Sequence, residues 1–303
     1  MVTKASDPAA AHSLDFSVIA ARASRRRRQQ LRLVRDASLY MVMSAGSIAF
    51  VMPFVWMLST SLKAAEQVWQ QPPVWIPSPV VFQNYVDAVT SVPTLTYLKN
   101  SVLIAALSIV GLVFSSSLVA FAFSRIEWPG RDAWFGILLS TMMLPSQVTM
   151  IPVFVLFFRL GWVNTLKPLI VPSFFGSAFY IFLLRQFFMG IPRELDESAI
   201  IDGANPLVIW GRIILPLSGP ALAAVAIFSF VGNWNDFMGP LIYLNRTDKW
   251  TLPLGLLAFR NKYGTEWAQL MAYSTLVMLP CLLVFFFFQR YFIQGITLTG
   301  IKG

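Results

Sequence analysis

Apolar and charged positions fall in long blocks along this chain, not at the short period of a soluble amphipathic helix or strand. Uncharged stretches run over 37–62, 100–124, 133–158, 168–184, 213–235 and 267–289. Crossing a hydrocarbon core of about 30 Å takes roughly 20 helical residues, with some tolerance on either side. All six stretches qualify, the fourth being the shortest. The pattern therefore predicts an all-α polytopic membrane protein with six transmembrane helices. They are expected at about Asp36–Ser61, Tyr97–Phe123, Ala133–Phe158, Leu169–Met189, Pro206–Trp234 and Trp267–Tyr291. A seventh uncharged stretch, 67–86, is rejected as a span. It holds Pro72, Pro73, Pro77 and Pro79 beside Gln70, Gln71 and Gln83, and lipid cannot satisfy the backbone groups such prolines leave unpaired. It reads as an extended, ordered outer loop, and a plain linker fits it nearly as well.

Composition narrows the function classes. The chain is 56% hydrophobic and 12% charged, with 26 Phe and 10 Trp, whereas a soluble domain carries about 25% charged residues. That disfavours a soluble enzyme, a disordered chain and a disulfide scaffold. Cys281 is the single cysteine, and His12, in a polar tail, is the single histidine. A histidine-based catalytic or metal centre is thereby excluded. No Lys, Asp or Glu falls in mid-span, where an ion-coupled secondary transporter would carry its proton or sodium site. A membrane-embedded hydrolase or acyltransferase would need a catalytic pair at membrane depth, and none is visible.

The net charge of +9 is concentrated in an N-terminal arm holding Arg22, Arg25 to Arg28, Arg32 and Arg35. Positive charge next to a span stays cytoplasmic, so both termini are expected in the cytoplasm. Inner segments then hold 15 Lys and Arg against 8 outside; without the arm the count is 7 against 8. The arm alone sets the orientation. It could serve as a nuclear signal or nucleic-acid patch, but a juxtamembrane anchor against anionic lipid is the simpler reading. The expected partner is therefore the lipid bilayer, with no nucleic acid. The first span is too long for a signal-peptide core and is expected to be retained.

The organisation follows: a basic cytoplasmic arm (1–35), the first span with a Pro-rich outer loop (36–96), a five-helix core (97–291) and a cytoplasmic tail (292–303). Pro145, Pro152, Pro172 and Pro280 should kink their spans. Small residues at four-residue spacing, Gly111 with Ser115 and Gly219 with Ala223, would let helices approach closely, although chance placement explains such pairs equally well. The longest inner loop spans 190–206. Pro192 suits a first helical turn, Glu194, Asp196 and Glu197 suit a helix start, and Leu195, Ala199 and Ile200 are expected to share a face. Gly203 can end the helix in a left-handed conformation, and Pro206 can open the next. Small Ala199 and Gly203 would let a partner surface come close. On composition alone an ordinary solvated connector fits better.

The run Glu197-Ser198-Ala199-Ile200-Ile201-Asp202-Gly203-Ala204, followed by Ile213-Ile214-Leu215-Pro216, resembles the EAA loop of binding-protein-dependent ABC importer permeases. Ser198 stands where Ala is usual and Trp210 where Phe is common. Asn233-Trp234-Asn235-Asp236-Phe237 resembles the W-N-D/E-F element of carbohydrate permeases. The Pro53–Lys63, Trp75–Tyr85, Gln289–Gly295 and Gly300–Gly303 stretches also resemble the maltose-permease type.

The resemblance implies an ABC type I importer permease fold that translocates a sugar or oligosaccharide delivered by an extracytoplasmic solute-binding protein. A non-sugar solute such as glycerol phosphate is the alternative. It implies a second homologous permease subunit and an ATP-binding subunit dimer as partners. The setting would be a bacterial or archaeal cytoplasmic membrane. The chain has no G-x-x-x-x-G-K-[ST] phosphate loop, so it is expected to be no enzyme and to bind no cofactor, with ATP and Mg on partner subunits. Glu197, Ser198, Ala199, Asp202, Gly203, Ala204 and Pro216 are the coupling candidates, and Asn233, Trp234, Asn235 and Asp236 the candidates for translocation or an outer gate. Trp56, Trp134, Trp162 and Trp234 could stack on sugar rings, but lipid-facing aromatic belts are commoner, so no substrate-site residue is assigned.

Overall fold

The computed structural model describes the backbone of residues 8–261 and 264–300, and the side chains of residues 33, 35–260 and 264–289. The chain divides into two compact units between Ser59 and Thr60. The first is built on one helix, α1 (Pro8–Ser61). Only Arg35–Ser61 of it is apolar and long enough to cross a membrane. The helix begins well before the expected Asp36, because the arm is rich in Ala, Leu and Arg, all strong helix formers. The arginine side chains 22 to 32 lie outside the described residues.

The second unit contains α2 (Gln83–Thr90), α3 (Thr94–Arg125), α4 (Arg131–Ser140), α5 (Ser146–Arg159), α6 (Ala178–Met189), α7 (Glu194–Ile201), α8 (Pro206–Ile209), α9 (Gly219–Trp234), α10 (Met238–Tyr243) and α11 (Trp267–Gly300). A two-residue antiparallel ladder pairs Arg260 with Thr265 and Asn261 with Gly264. The last helix runs beyond the expected Tyr291, through what the sequence suggested was a tail. Arg35–Ser61, Thr94–Arg125, Lys167–Met189 and Trp267–Gln289 are long and apolar enough to span, or six segments if two bent pairs each count as one.

Of the prolines expected to kink their spans, Pro145 stands at a sharp bend, whereas Pro152 and Pro280 lie inside continuous helices; a second bend falls in the fifth span, where none was expected. The third segment turns by 97° between Arg131–Met143 and Ser146–Arg159. Leu144 and Pro145 are both extended there, with ψ of 118° and 132°, because a proline's Cδ drives the residue before it out of the α region. The fifth turns by 82° between Pro206–Leu217 and Gly219–Trp234. Pro216 has no N–H to give the carbonyl one turn back, and the helix widens to a π turn at Trp210–Ile214 just before it. Pro220 then stands at the start of α9, where its missing N–H costs nothing.

Helix α3 is the central pillar, packed against α6, α9 and the irregular start of the fourth span. At about 1.5 Å per residue it is roughly 48 Å long. Its buried stripe is Ser101, Ile104, Ala105, Ser108, Gly111, Leu112, Ser115 and Ser116, three or four residues apart, which is one helix face. The small side chains serve a specific neighbour. Pro168 and Pro172 interrupt the helical ladder of 167–175, freeing carbonyls that lipid could not satisfy. Ser108 Oγ donates to Leu169 O (3.2 Å), Ser115 Oγ donates to Ser173 O (3.0 Å), and Ser116 Oγ accepts from Ser177 N (3.4 Å). Such hydroxyl rescue is what makes a broken helix tolerable in a membrane. Phe174 lies directly on Gly111, where an added Cβ would meet its ring. The Gly111/Ser115 pair thus makes a close approach. Gly219 does not: it is exposed and open space lies around it.

Two apolar clusters form near the two ends of α3. Phe121, Phe123, Phe135, Leu184, Phe188, Ala199, Ile209 and Ile214 gather at its C-terminal end. Tyr97, Trp234, Leu252, Phe259, Ala272, Tyr273, Ala88 and Val92 gather at its N-terminal end. The Pro-rich loop is tied down, as an ordered loop should be. Val81 N donates to Leu62 O (2.9 Å), and Asn84 Nδ2 donates to Ser61 O and Lys63 O (both 2.9 Å). The 245–266 loop is also held, with Asn100 Nδ2 donating to Asp248 O and Trp250 O and Leu252 N donating to Ser101 Oγ.

Candidate functional site

The 190–206 loop folds as a helix, a tight turn and a second helix start. Helix α7 begins at Glu194 with three acids in its first turn, where they complement the positive end of the helix dipole. Pro192 lies two residues before the first helical position instead of inside the first turn. At the far end Gly203 takes φ +82°, which only glycine adopts without strain. Gly203 N donates to Ile200 O (3.0 Å) and Ala204 N donates to Ala199 O (2.9 Å). These are the paired 5→2 and 6→1 bonds of a Schellman cap, and they satisfy carbonyls the helix end would leave open. Asn205 immediately caps the next helix: its Oδ1 accepts from Val208 N (3.0 Å), and Pro206 occupies the first helical position, where its missing N–H costs nothing. Two helix ends are closed by four consecutive residues, so the angle between α7 and α8 is set by hydrogen bonds.

One buried contact fixes α7 to the bundle. Arg125, the last residue of α3, donates from Nη2 to Phe188 O (2.6 Å) and Ile191 O (2.7 Å). Its Nη1 lies 3.1 Å from Asp196 Oδ2, with the two side chains 4% and 14% exposed. The guanidinium thereby joins the ends of α3 and α6 to the first turn of α7.

The coupling candidates divide into two faces. Ala199 and Ala204 point inward and join the cluster around Phe188 and Ile209. Glu197, Ser198, Asp202 and Gly203 are exposed, and Ser198 Oγ donates back to Leu195 O (3.0 Å). Of the expected face of Leu195, Ala199 and Ile200, only Ala199 is buried. Asp196 and Ala199 are the inward pair, while Leu195 and Ile200 are exposed, with Ile201 and Leu207 beside them in sequence also bare. The reason is Arg125: at about 100° per residue Asp196 falls within the arc of Leu195, Ala199 and Ile200, so the ion pair occupies the middle of that face and leaves Leu195 and Ile200 at its edges. Ala199 is therefore small for packing within its own chain. Pro216 is exposed and follows the π turn.

The four outer candidates each hold a different partner. Asn233 Nδ2 turns back to Ser229 O (2.7 Å). Trp234 is 2% exposed, and its Nε1 donates to Val277 O on α11 (2.9 Å). Asn235 is exposed and donates to Val231 O (2.9 Å). Asp236 is partly buried, and its Oδ1 accepts from Gly239 N (3.0 Å), which braces the start of α10. Burial pushes its carboxyl above the usual aspartate range, against the lowering effect of its backbone hydrogen bonds. Trp234 and Asp236 thus hold structure at this end of α9. Among the described residues no group of three or more His, Cys, Asp or Glu is arranged to hold a metal ion.

Comparison with known proteins places the chain in a family. Residues 111–298 match the family model described as "Binding-protein-dependent transport system inner membrane component". The chain belongs to that family. It is 36% identical over 231 residues to an arabinooligosaccharides transport system permease protein of Halalkalibacterium halodurans, covering 76% of this chain and 82% of the relative. It is 35% identical over 267 residues to a trehalose/maltose transport system permease protein of Thermococcus litoralis, covering 85% and 93%. The fold matches a chain of a bacterial ABC transporter involved in alginate import with a TM-score of 0.74, at 22% identity, over 96% of this chain and all of that one.

Two residues that hold the 190–206 loop were not singled out from the sequence. Asn205 was legible in principle, since Asn before Pro is a helix-start signal. Arg125 was not, because its partners lie 63 to 71 positions away and no local pattern marks them.

Proposed function

We propose that this chain is one of two permease subunits of an ATP-driven importer that carries a sugar or oligosaccharide handed over by an extracytoplasmic binding protein. Family membership supports an importer permease, and the relatives that transport arabinooligosaccharides, trehalose or maltose support the sugar class. The observation that carries the mechanism is the doubly capped α7–α8 element, held by Arg125 and Asp196. Its outer face combines Glu197, Ser198 and Asp202 with bare Ile200 and Ile201, 60% and 86% exposed. A contiguous apolar patch rimmed by charge is the signature of a docking surface. We read it as the seat of the ATP-binding subunits, on the cytoplasmic side with both termini.

Closure of an ATPase pair against α7 would push on a rigid lever. The force would pass through the Arg125 contact to α3 and α6, and through α8 to the π turn and the 82° bend before α9. Those breaks are where a two-state motion can concentrate, because packed interiors shift between discrete arrangements. Substrate at the opposite end would bias the same equilibrium, which is the reciprocity that coupling requires. ATP and Mg belong to the partner subunits in this reading.

The test is co-purification of the chain with its second permease and ATP-binding subunits, followed by reconstitution in lipid vesicles. Sugar-loaded binding protein should stimulate ATP hydrolysis and drive uptake. Failure of the chain to retain an ATP-binding subunit would end the proposal.

A further inference from the structure

Beside the Arg125 contact, but not facing the outer side of α7, lies a small cavity of about 130 Å³. Its lining comprises Arg125, Arg131, Arg185 and Arg193, with Phe123, Ser124 and Met189. Four cations meet there, and no carboxylate lines the cavity. Three acids pair with the arginines from outside the lining, Asp196 with Arg125, Asp132 with Arg131 and Arg185, and Glu127 with Arg193, so the positive charge exceeds the negative. Asp132 and Glu127 are 77% and 76% exposed, and Asp196 is drawn to Arg125.

Three of the four guanidiniums keep most of their donors. Each guanidinium has five N–H groups. Arg131 gives one to Asp132 Oδ1 (3.2 Å), and Arg193 gives one to Glu127 Oε1 (3.1 Å). Arg185 donates from Nε to Phe123 O (3.1 Å), holds Asp132 only at 3.6 Å, and lies over the Phe135 ring at 4.1 Å. Arg125 is spent on Asp196 and two carbonyls, and its Nε is a buried donor without a partner. Arg125 and Arg185 are nearly buried, 4% and 12% exposed. Cations brought this close repel one another, and in a setting poor in water that repulsion is strong. The arrangement is favourable when an anion sits among them.

We infer that this cavity binds the phosphate of an anionic phospholipid headgroup. Planar guanidiniums match phosphate oxygens in pairs, and basic pockets between membrane helices on the cytoplasmic side are suited to such headgroups. The location selects lipid over a soluble phosphate. Arg125 and Met189 are the last residues of two spanning helices and Arg131 is the first of a third, so the cavity lies at a membrane boundary, with Phe123 and Met189 as an apolar wall. The inference is independent of which solute the chain transports and of whether α7 seats an ATPase.

The test uses the full-length chain in detergent, titrated with phosphatidylglycerol and observed by native mass spectrometry. Phosphatidylcholine, inorganic phosphate and glycerol 3-phosphate serve as competing probes. Wild-type protein should retain one phosphatidylglycerol that neither phosphatidylcholine nor either soluble phosphate displaces. Removing two phosphate-facing cations with Arg131→Gln and Arg193→Gln should weaken that retention by about thirtyfold, from the usual contribution of each cation near a lipid surface. These two arginines are the more exposed members, so the fold should survive. If the double variant does not express, Arg131→Lys, which keeps charge but loses the paired geometry, should lower retention by itself. Arg246→Gln, near the other end of α3, should change nothing. Equal retention by wild type and double variant would overturn the inference, as would no retention by wild type. Displacement by inorganic phosphate or glycerol 3-phosphate would overturn the lipid assignment in favour of a soluble anion.

Discussion

Replacing Gly203 separates what the turn needs from what a partner needs. The residue sits at φ +82° with nothing within 4 Å of where a Cβ would stand. A left-handed conformation costs an ordinary L-residue roughly 1–2 kcal/mol, and Asn and Asp tolerate it better than most. For Gly203→Asn and Gly203→Asp the strain is therefore about 1 kcal/mol. Set against a typical stability of roughly 5–15 kcal/mol, that leaves the chain folded and inserted. Both Schellman bonds use backbone groups, so both survive. Any large loss must then come from a surface outside this chain. If an ATP-binding subunit packs closely on Gly203, an unpaired carboxylate buried there would cost about 3 kcal/mol, or about a hundredfold in affinity. The assay is paired: membrane abundance by immunoblot, and retention of the ATP-binding subunit in pull-down. Abundance should stay within about twofold of wild type, as expected for a strain this small. Retention should collapse for Gly203→Asp and fall less for the isosteric, neutral Gly203→Asn. Full retention and full uptake with both variants would refute the coupling role of this loop.

Asp196→Ala should strand Arg125 without its buried partner, at about 3 kcal/mol; amide hydrogen exchange over 194–204 should rise and uptake fall. Glu197→Lys, on the exposed face, should leave that exchange unchanged while ATPase retention drops, and equal exchange effects in the two variants would contradict the two-face assignment. Gly111→Leu should force Phe174 off α3 at about 1–3 kcal/mol, read as a lower thermal midpoint in detergent; an unchanged midpoint would show that the helices do not pack this closely. Ser78→Cys and Thr265→Cys, made in a Cys281→Ser background, should react with an impermeant thiol reagent added outside cells, whereas labelling only from the cytoplasmic side would invert the proposed orientation.

The parts of this chain that were legible in sequence are those fixed by local rules. Charge-free length located the spans, because lipid penalises charge most in the middle of a span and far less at its ends. The α7 turn was legible because Gly203 and Pro206 each do one thing, independently of the rest of the chain. The bends were only half legible. Pro145 and Pro172 announce breaks, but the 97° angle at the first and the partners that satisfy the second are not local properties. In the fourth span the receivers are Ser108, Ser115 and Ser116, on a helix some 60 residues earlier. Read alone, those serines are merely small residues at helical spacing.

The apolar edges of α7 stay exposed for a reason that bears on the mechanism. Apolar periodicity points Leu195 and Ile200 inward, as it would for any helix packing on a core by hydrophobic burial. Arg125 overrides it. Its guanidinium is already committed to the carbonyls of Phe188 and Ile191, and a charge 4% exposed needs a carboxylate within reach. Asp196 supplies it from the middle of that face, and Leu195 and Ile200 are left exposed at its edges. A buried ion pair adds little net stability compared with a well-packed apolar contact. Here it fixes orientation: it holds the apolar residues on the outer face, where a partner can bury them, and gives α7 a rigid attachment to α3. If the pair were replaced by packed apolar residues, as in Arg125→Met with Asp196→Leu, the fold should hold while the helix face rotates. ATPase retention should then be lost although stability is not, a dissociation that a purely structural ion pair would not produce.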